Sequence, residues 1–87
     1  MQEPFSDLTQ NQPIREVAYE QLKHAIITGQ IEAGSRIVET VYAEYLHISR
    51  TPLREALQKL EIDGLVEYKP HRGVIVKAFT LSDIEEI

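Results

Sequence analysis

The 87-residue sequence contains no cysteine, which excludes disulfide bonds and thiolate metal sites and fits a reducing cytoplasm. It also lacks a long hydrophobic run, so we expect no segment that spans a membrane. The polar first residues include Glu3 and Asp7 and contain no apolar stretch, unlike a signal or transit peptide. Hydrophobic residues nevertheless make up 43% and charged residues 26% of the chain, which are ordinary values for one small folded domain.

The common catalytic and nucleotide-binding motifs are also missing. There is no phosphate-binding loop, no glycine-rich dinucleotide motif and no nucleophile elbow, and the glycines are isolated from one another. The histidines, His24, His47 and His71, lie on separate predicted elements and do not have the spacing of metal ligands. A domain of this size seldom encloses a substrate pocket. We therefore expect no enzyme activity and no metal or cofactor site within these residues.

Basic residues are fewer than acidic residues over the whole chain. Nine Lys and Arg against 14 Asp and Glu give a formal net charge of −5 and an isoelectric point near 5.1. Residues 36–77, however, carry seven basic and six acidic side chains, so the acid excess lies at the two ends and in the first predicted helix. Because nucleic acid requires a local basic surface and not a basic average, DNA stays open as a partner, with modest non-specific affinity.

Hydrophobic periodicity predicts three helices. The first follows Pro13, and Gly29 is expected to end it because glycine adopts the left-handed backbone conformation readily. Its apolar positions are Ile14, Val17, Ala18, Leu22, Ala25 and Ile26. After a turn at Gly34 and a short extended piece at 36–38, a second helix is predicted from about Thr40 to Leu46.

The third predicted helix begins after the turn at 47–49. Ser49 or Thr51 is expected to be its N-cap, and Pro52 lies in its first turn, where a missing N–H has little cost. Its apolar stripe is Leu53, Ala56, Leu57 and Leu60. Gly64 is expected to end this helix, as Gly29 ends the first.

Two segments with strand-like alternation follow the third helix. Val66 and Tyr68 in the first segment, and Val74 and Val76 in the second, alternate with the residues between them. The turn at 70–73 joins the segments 66–69 and 74–77 into a hairpin. The order helix, short strand, helix, turn, helix, hairpin predicts a winged helix-turn-helix, an α+β fold that is mainly α and has three helices and a β-hairpin wing.

The pattern divides the chain into three parts. Residues 1–13 are interpreted as a flexible arm, 14–77 as the winged helix domain, and 78–87 as a linker and the start of another helix. Ser82 and Glu85 have the spacing of a capping box. Because a helix that begins there reaches only its second turn by residue 87, we expect these residues to belong to a longer polypeptide with a further domain.

Arg50, Arg54 and Gln58 recur every four residues and therefore share one face of the third predicted helix. Guanidinium groups at the start of a helix can make paired hydrogen bonds to guanine or clamp phosphates. They could also be solvated surface charges, but their position after a tight turn and before a hairpin favours DNA contact. Glu55 and Lys59 form an i,i+4 pair that supports the helix, and Glu55 could also hold an arginine in position.

Further candidate DNA contacts lie outside that helix face. Arg36 could reach a phosphate, and the tip of the predicted wing could enter the minor groove or touch a phosphate; in both cases the alternative is an ordinary exposed polar surface. The tip consists of His71, Arg72 and Gly73. The hydroxyls of Ser49 and Thr51 could contact phosphate, although capping of the helix is favoured. The four tyrosines are Tyr19, Tyr42, Tyr45 and Tyr68. We expect them in the core or at an interface, and not as platforms on which bases stack.

Three segments of this sequence resemble the DNA-binding domain of the GntR family of bacterial regulators. They are Ile48-Ser49-Arg50-Thr51-Pro52-Leu53-Arg54-Glu55-Ala56-Leu57, Leu60-Glu61-x-x-Gly64-Leu65-Val66 and His71-Arg72-Gly73-Val74-x-Val76. The resemblance covers about residues 14–77. The segment 79–86 further resembles the linker into the effector-binding helical domain of the FadR-like (FCD) subfamily.

The resemblance implies a bacterial transcription regulator, expected to be a repressor. Homodimers would bind short inverted repeats of double-stranded DNA in the cytoplasm, at the nucleoid. A small organic acid or a metal ion would bind the further domain and control DNA binding. The site residues that the resemblance implies are Arg50 and Arg54 for bases, Ser49 and Thr51 for the DNA backbone, Arg36 for a phosphate, and His71, Arg72 and Gly73 for the wing contact.

Two positions depart from the usual sequence of that family. Tyr42 stands where a leucine is usual in the second helix, and His47 stands where a glycine is usual in the turn before the third helix. Histidine tolerates the left-handed backbone better than most residues other than glycine, though with some strain. We therefore expect a small change in the geometry of the recognition helix.

Two other functions stay open on the sequence alone. The acidic balance suits a winged helix that binds a protein partner, and a small ligand- or metal-binding regulator that does not bind DNA is a more distant alternative. A DNA binder should lose affinity as salt rises and should depend on Arg50 and Arg54, whereas a protein-interaction module should be indifferent to both. We also expect the 87-residue chain to be monomeric or only weakly dimeric.

Overall fold

A computed structural model of the chain describes residues 12–78. Its elements in chain order are α1 (Ile14–Ile27), β1 (Arg36–Ile37), α2 (Glu39–Leu46), α3 (Arg50–Ile62), β2 (Val66–Lys69) and β3 (Gly73–Val76). This order confirms the predicted winged helix-turn-helix, a mainly helical α+β fold. The helix α2 begins one residue before its predicted start, and β3 begins one residue before its own. The predicted arm at 1–11 and the predicted helix start at Ser82 lie outside the described residues.

The strands form one antiparallel sheet in the order β1-β3-β2. The strands β2 and β3 are the predicted hairpin, in which Lys69 pairs with Gly73 next to the turn. The short strand β1 lies along the other edge of β3, where Arg36 pairs with Ile75. The sequence predicted an extended piece at this position without naming its partner. Pairing with β3 places Arg36 beside the wing.

The core lies where α1, α3 and one face of the sheet meet. Its buried residues are Ala18, Tyr19, Leu22, Ile26, Ile37, Ala43, Leu53, Ala56, Leu57, Leu60, Val66 and Val76. The complete predicted stripe of α3 is buried. The predicted stripe of α1 is wrong at its start, since Ile14 and Val17 are exposed and the helix packs through Tyr19 instead. No helix within residues 12–78 is both long and apolar enough to cross a membrane.

Tyr19 connects α1 to the end of α3. Its hydroxyl donates a hydrogen bond to the carboxylate of Asp63, the residue that caps α3, and the ammonium group of Lys59 lies 4.3 Å from the centre of its ring. The hydrogen bond to Asp63, with smaller contributions from burial and from the charge of Asp63, raises the pKa of Tyr19 to about 12. The helix α3 is therefore anchored at its C-terminal end by a polar contact as well as by core packing.

The turn between α2 and α3 uses a left-handed residue other than glycine. His47 has φ 57° and ψ 44°, and its N–H donates to the carbonyl of Glu44 as α2 ends. The expectation of a left-handed histidine is therefore confirmed. Such a backbone is disfavoured for residues with a Cβ by roughly 1–2 kcal/mol, so the turn that aims α3 carries local strain.

The wing turn also contains a left-handed residue. The N–H of Arg72 donates to the carbonyl of Lys69 at 2.9 Å, so the residues 69–72 form a β-turn with Pro70 in its second position. His71 follows with φ 68°, as the third position of a type II turn requires. This backbone places the side chains of His71 and Arg72 at the exposed tip of the hairpin.

Candidate nucleic-acid interface

The outer face of α3 presents the two predicted arginines to solvent. The side chains of Arg50 and Arg54 are 57% and 54% exposed, and they lie one helical turn apart. They point outward because the opposite stripe of the helix, which includes the fully buried Leu53 and Leu60, is fixed in the core. Gln58 continues the face by one more turn and is also exposed.

A carboxylate that the sequence did not single out lies between the two guanidinium groups. Glu39 is the first residue of α2, and its Oε1 accepts a hydrogen bond at 3.1 Å from each of Arg50 and Arg54. Its other oxygen, Oε2, accepts a longer hydrogen bond of 3.4 Å from Nε of Arg54. One carboxylate thus holds both arginines in a defined arrangement across the helix-turn-helix.

The charges of this cluster favour its ionised form. Hydrogen bonding to Arg54, and then to Arg50, lowers the pKa of Glu39 against an opposing effect of burial. The hydrogen bond with Glu39 in turn raises the pKa of Arg54. At neutral pH the cluster therefore carries two positive charges and one negative charge, so its net charge is smaller than the arginines alone would give.

Glu55 is not the residue that holds the arginines. The helical spacing predicts a pair between Glu55 and Lys59 and also allows Glu55 to hold an arginine in position. Among the residues that the structure describes, Glu55 makes no salt bridge, and Lys59 lies over the ring of Tyr19 instead. Local helical spacing suggested Glu55, whereas Glu39 approaches from a different helix, so only the packing of α2 against α3 brings it there.

The hydroxyls at the start of α3 are not used for capping. Ser49 occupies the N-cap position of α3, as predicted, with φ −76° and ψ 170°, but its hydroxyl makes no capping hydrogen bond, so only the prediction of a side-chain cap was wrong. Thr51 lies in the first turn of α3, and both residues are exposed. Their hydroxyls and the first N–H groups of the helix lie at the same end as Arg50, where a helix dipole favours negative charge.

The side chain of Arg36 lies close to the wing at Gly73. A Cβ at Gly73 would lie 3.4 Å from Nε of Arg36, which is ordinary contact with little room to spare, and the φ of Gly73 is +85°. The guanidinium group of Arg36 therefore lies against the backbone at the base of the wing turn. Two candidate sites that are distant in the sequence are neighbours in the fold because β1 pairs with β3.

Two shallow depressions lie between α3 and the sheet. The first, of about 390 Å³, is bordered by Arg54, Gln58, Glu39, Glu61 and Tyr68, among others. The second, of about 250 Å³, brings together three of the predicted site residues with Glu39 and Tyr68. Those three are Arg36, Arg50 and Gly73. His71 and Arg72 border neither depression and stand beyond them at the tip of the wing.

Tyr68 lies outside the core. The alternation of β2 puts it on the same strand face as the buried Val66, yet 63% of its surface is exposed, so of its two expected placements, core or interface, the core is excluded. Tyr45 is likewise exposed at 70%, whereas Tyr19 is buried and Tyr42 is half-buried. The core ends at Val66, so the next residue on that strand face, Tyr68, projects beyond the packed region into the space between α3 and the wing.

The family comparison covers most of the chain. Residues 14–76 match the family described as "Bacterial regulatory proteins, gntR family". An uncharacterised helix-turn-helix transcriptional regulator of Bacillus subtilis, YdhC, is 41% identical over 69 residues, which are 79% of this chain and 31% of that protein. The transcriptional repressor RspR of Escherichia coli is 29% identical over 79 residues, which are 91% of this chain and 35% of that protein. The chain thus spans about a third of the length of both relatives.

A solved structure shows the same fold. The crystal structure of a GntR family transcriptional regulator from Pseudomonas syringae pv. tomato matches 87% of this chain and 34% of its own chain, with a TM-score of 0.73 and 32% sequence identity. The match covers 87% of this chain, so the two proteins share the winged helix-turn-helix backbone described above.

Proposed function

The chain belongs to the GntR family of bacterial regulatory proteins and is the DNA-binding domain of a transcription regulator, and from this premise we propose how it engages its site. The helix α3 enters the major groove, where Arg50 and Arg54 contact base edges. The wing reaches the adjacent minor groove through His71 and Arg72. This docking is the one that winged helices make when the second helix of the helix-turn-helix reads sequence.

The observation that carries the proposal is the arginine pair held by Glu39. Glu39 accepts from Nε and one terminal nitrogen of Arg54, so the other terminal nitrogen of that guanidinium stays available to a base. Arg50 donates only one terminal nitrogen to Glu39 and keeps its remaining donors. A guanidinium with free terminal N–H groups can bond to O6 and N7 of guanine. We therefore propose that the DNA site contains two guanines, one for each arginine, at a spacing that matches one turn of α3.

The remaining site residues are assigned to the DNA backbone. Ser49 and Thr51 have uncapped, exposed hydroxyls beside the N-terminus of α3, where a phosphate is favoured by the helix dipole. Arg36 lies at the base of the wing and carries a charge that suits a phosphate, and Gly73 lets Arg36 lie close to the backbone. These contacts would fix the orientation of α3 without reading sequence.

The test is a DNA titration with matched arginine variants. The 87-residue chain is titrated at several salt concentrations with a duplex recovered by in vitro selection on the wild-type chain. Arg50→Ala and Arg54→Ala should each cost about 1–3 kcal/mol on that duplex, and the affinity should fall as salt rises. Arg15→Ala, an exposed arginine on α1, is the control for loss of one positive charge and should change the affinity little. An affinity that ignores salt and both α3 arginines would favour a protein-interaction module.

For the complete regulator we propose a homodimer that binds a short inverted repeat. The relatives are about three times longer than the matched region, which leaves room for a dimerising, effector-binding domain. We place the regulator in the FadR-like (FCD) subfamily, with a small organic acid or a metal ion as effector and the nucleoid as location. The relative RspR is a transcriptional repressor, which supports repression as the regulatory effect. Sedimentation of the complete protein with and without its palindromic duplex would test the dimer.

A further inference from the structure

Tyr68 has a position that core packing does not explain. It lies on β2, two residues after the buried Val66, and 63% of its surface is exposed. Its side chain borders both depressions between α3 and the sheet. Among residues 12–78 its hydroxyl makes no hydrogen bond to another side chain or to the backbone. Tyr68 is therefore a large amphipathic side chain at the centre of the proposed DNA interface, and within residues 12–78 its hydroxyl has no hydrogen-bond partner.

The docking proposed above determines what must face this position. When α3 occupies the major groove and the wing occupies the adjacent minor groove, one sugar–phosphate strand separates the two grooves. That strand has to cross the concave surface between α3 and the wing. The part of this surface between the arginine face of α3 and the tip of the wing therefore faces phosphates and not bases, and Tyr68 is in the middle of that part.

The charges around Tyr68 select one of the two depressions. The larger one, on the side of Gln58, is lined by two acidic residues, Glu39 and Glu61, and one basic residue, Arg54. The smaller one, on the side of the wing, is lined by two basic residues, Arg36 and Arg50, and one acidic residue, Glu39. A phosphate is repelled from the first and attracted to the second. The second has a volume of about 250 Å³, which is room for one phosphate group and several waters.

We propose that Tyr68 is a phosphate-binding residue of this interface. Its hydroxyl donates a hydrogen bond to the phosphate that occupies the depression between Arg36 and Arg50, on the strand that separates the two grooves. Arg36 and Arg50 supply the positive charge, and the rigid ring of Tyr68 supplies a neutral donor at a fixed height above the sheet. The inference rests on the proposed docking of α3 and the wing.

The experiment compares Tyr68→Phe with wild type on the selected duplex. Removal of one hydroxyl from a phosphate contact should weaken binding about fivefold. The slope of log affinity against log salt should stay unchanged, because a neutral donor releases no counterion, whereas Arg36→Gln should reduce that slope by about one. Tyr45→Phe is the matched control, since Tyr45 is equally exposed but borders neither of these depressions, and it should bind as wild type does.

A methylphosphonate scan of the duplex then locates the contact. Each phosphate is replaced in turn by a neutral methylphosphonate, and wild type and Tyr68→Phe are compared on every duplex. At one position, on the strand between the major-groove and minor-groove sites, the two proteins should bind equally well. If Tyr68→Phe equals wild type on the unmodified duplex, or if no position removes the difference, the assignment of Tyr68 is wrong while the proposed function stands. If the wild-type chain shows no salt-dependent DNA binding, the proposed function and this inference both fail.

Discussion

Glu39 and Arg54, 15 residues apart on different helices, are joined by two hydrogen bonds of 3.1 and 3.4 Å on the outer face of the domain. The contact places a negative charge inside a surface that is proposed to bind a polyanion. Its benefit is geometric, because an arginine held at both Nε and a terminal nitrogen has few rotamers left to lose on binding. Its cost is electrostatic, because the carboxylate repels phosphates. Such an arrangement increases discrimination between DNA sequences and lowers the overall affinity for DNA.

Substitution of Glu39 by glutamine should separate these two effects. Glu39→Gln keeps the shape and removes the charge, so binding to a mixed-sequence duplex should tighten by about threefold to tenfold as the arginines become free to contact phosphates. Discrimination between the selected duplex and the mixed-sequence duplex should fall. Both affinities can be measured by fluorescence anisotropy, with Glu20→Gln, an exposed acid on α1, as the control for a change of one charge. Unchanged discrimination would mean that Glu39 does not position the arginines.

Replacement of Gly73 should disturb the contact between the wing and Arg36. Gly73→Ala introduces a Cβ at positive φ and 3.4 Å from Nε of Arg36, so we expect a loss of stability of about 1–2 kcal/mol and weaker DNA binding. Gly34→Ala is a matched control, since Gly34 has a φ of +86° but nothing within 4 Å of an added Cβ. It should lose similar stability and keep its DNA affinity. If both variants change the DNA affinity equally, Arg36 is not part of the DNA-binding surface.

The strained turn before α3 should be improved by glycine. His47→Gly relieves about 1–2 kcal/mol of backbone strain but makes the unfolded chain more flexible, which takes back about 0.4–1 kcal/mol. We expect a net gain in the free energy of unfolding of between about 0 and 1.6 kcal/mol, measured by urea denaturation. His24→Gly is the opposite case, because His24 is helical and its replacement by glycine should lower the stability by roughly 0.3–0.5 kcal/mol. A destabilised His47→Gly protein would show that the imidazole makes a contact that offsets the strain.

The contact between Tyr19 and Asp63 predicts a specific loss of stability at alkaline pH. The pKa of Tyr19 is raised from its ordinary value near 10 to about 12, so the folded state retains a proton that the unfolded state loses. This stabilisation is complete below pH 10 and disappears as the pH rises toward 12.

The measurement compares the free energy of unfolding of wild type and Tyr19→Phe across this pH range. The variant should be less stable at neutral pH by about 1 kcal/mol and should show a smaller decline above pH 10. Tyr45→Phe, which replaces an exposed tyrosine, should follow the wild-type curve. Parallel curves for wild type and Tyr19→Phe would contradict the raised pKa.

Most of the fold could be predicted because its signals are local. The stripe of α3 from Leu53 to Leu60, the break between the second and third helices at 47–49 and the alternation in the hairpin each depend on spacing within a few residues. The error in α1 arose because its apolar residues are spread over more than one helix face. Val17 is exposed because it lies on the side of α1 opposite to Tyr19 and Leu22, whereas Tyr68 follows the alternation of β2 and is exposed because the core ends at Val66.

The amino-acid sequence by itself determined the order of helices and strands, the turns between them, and the outward direction of Arg50 and Arg54, which follows from the aliphatic stripe on the opposite side of α3. The tertiary structure alone decided which acid joins those arginines, that Arg36 lies at the base of the wing, and that Tyr68 stands between helix and hairpin. The reason is physical: periodicity within an element fixes the direction of a side chain relative to its own backbone. Its partner across space depends on how separate elements pack, and that packing is set by the whole core at once.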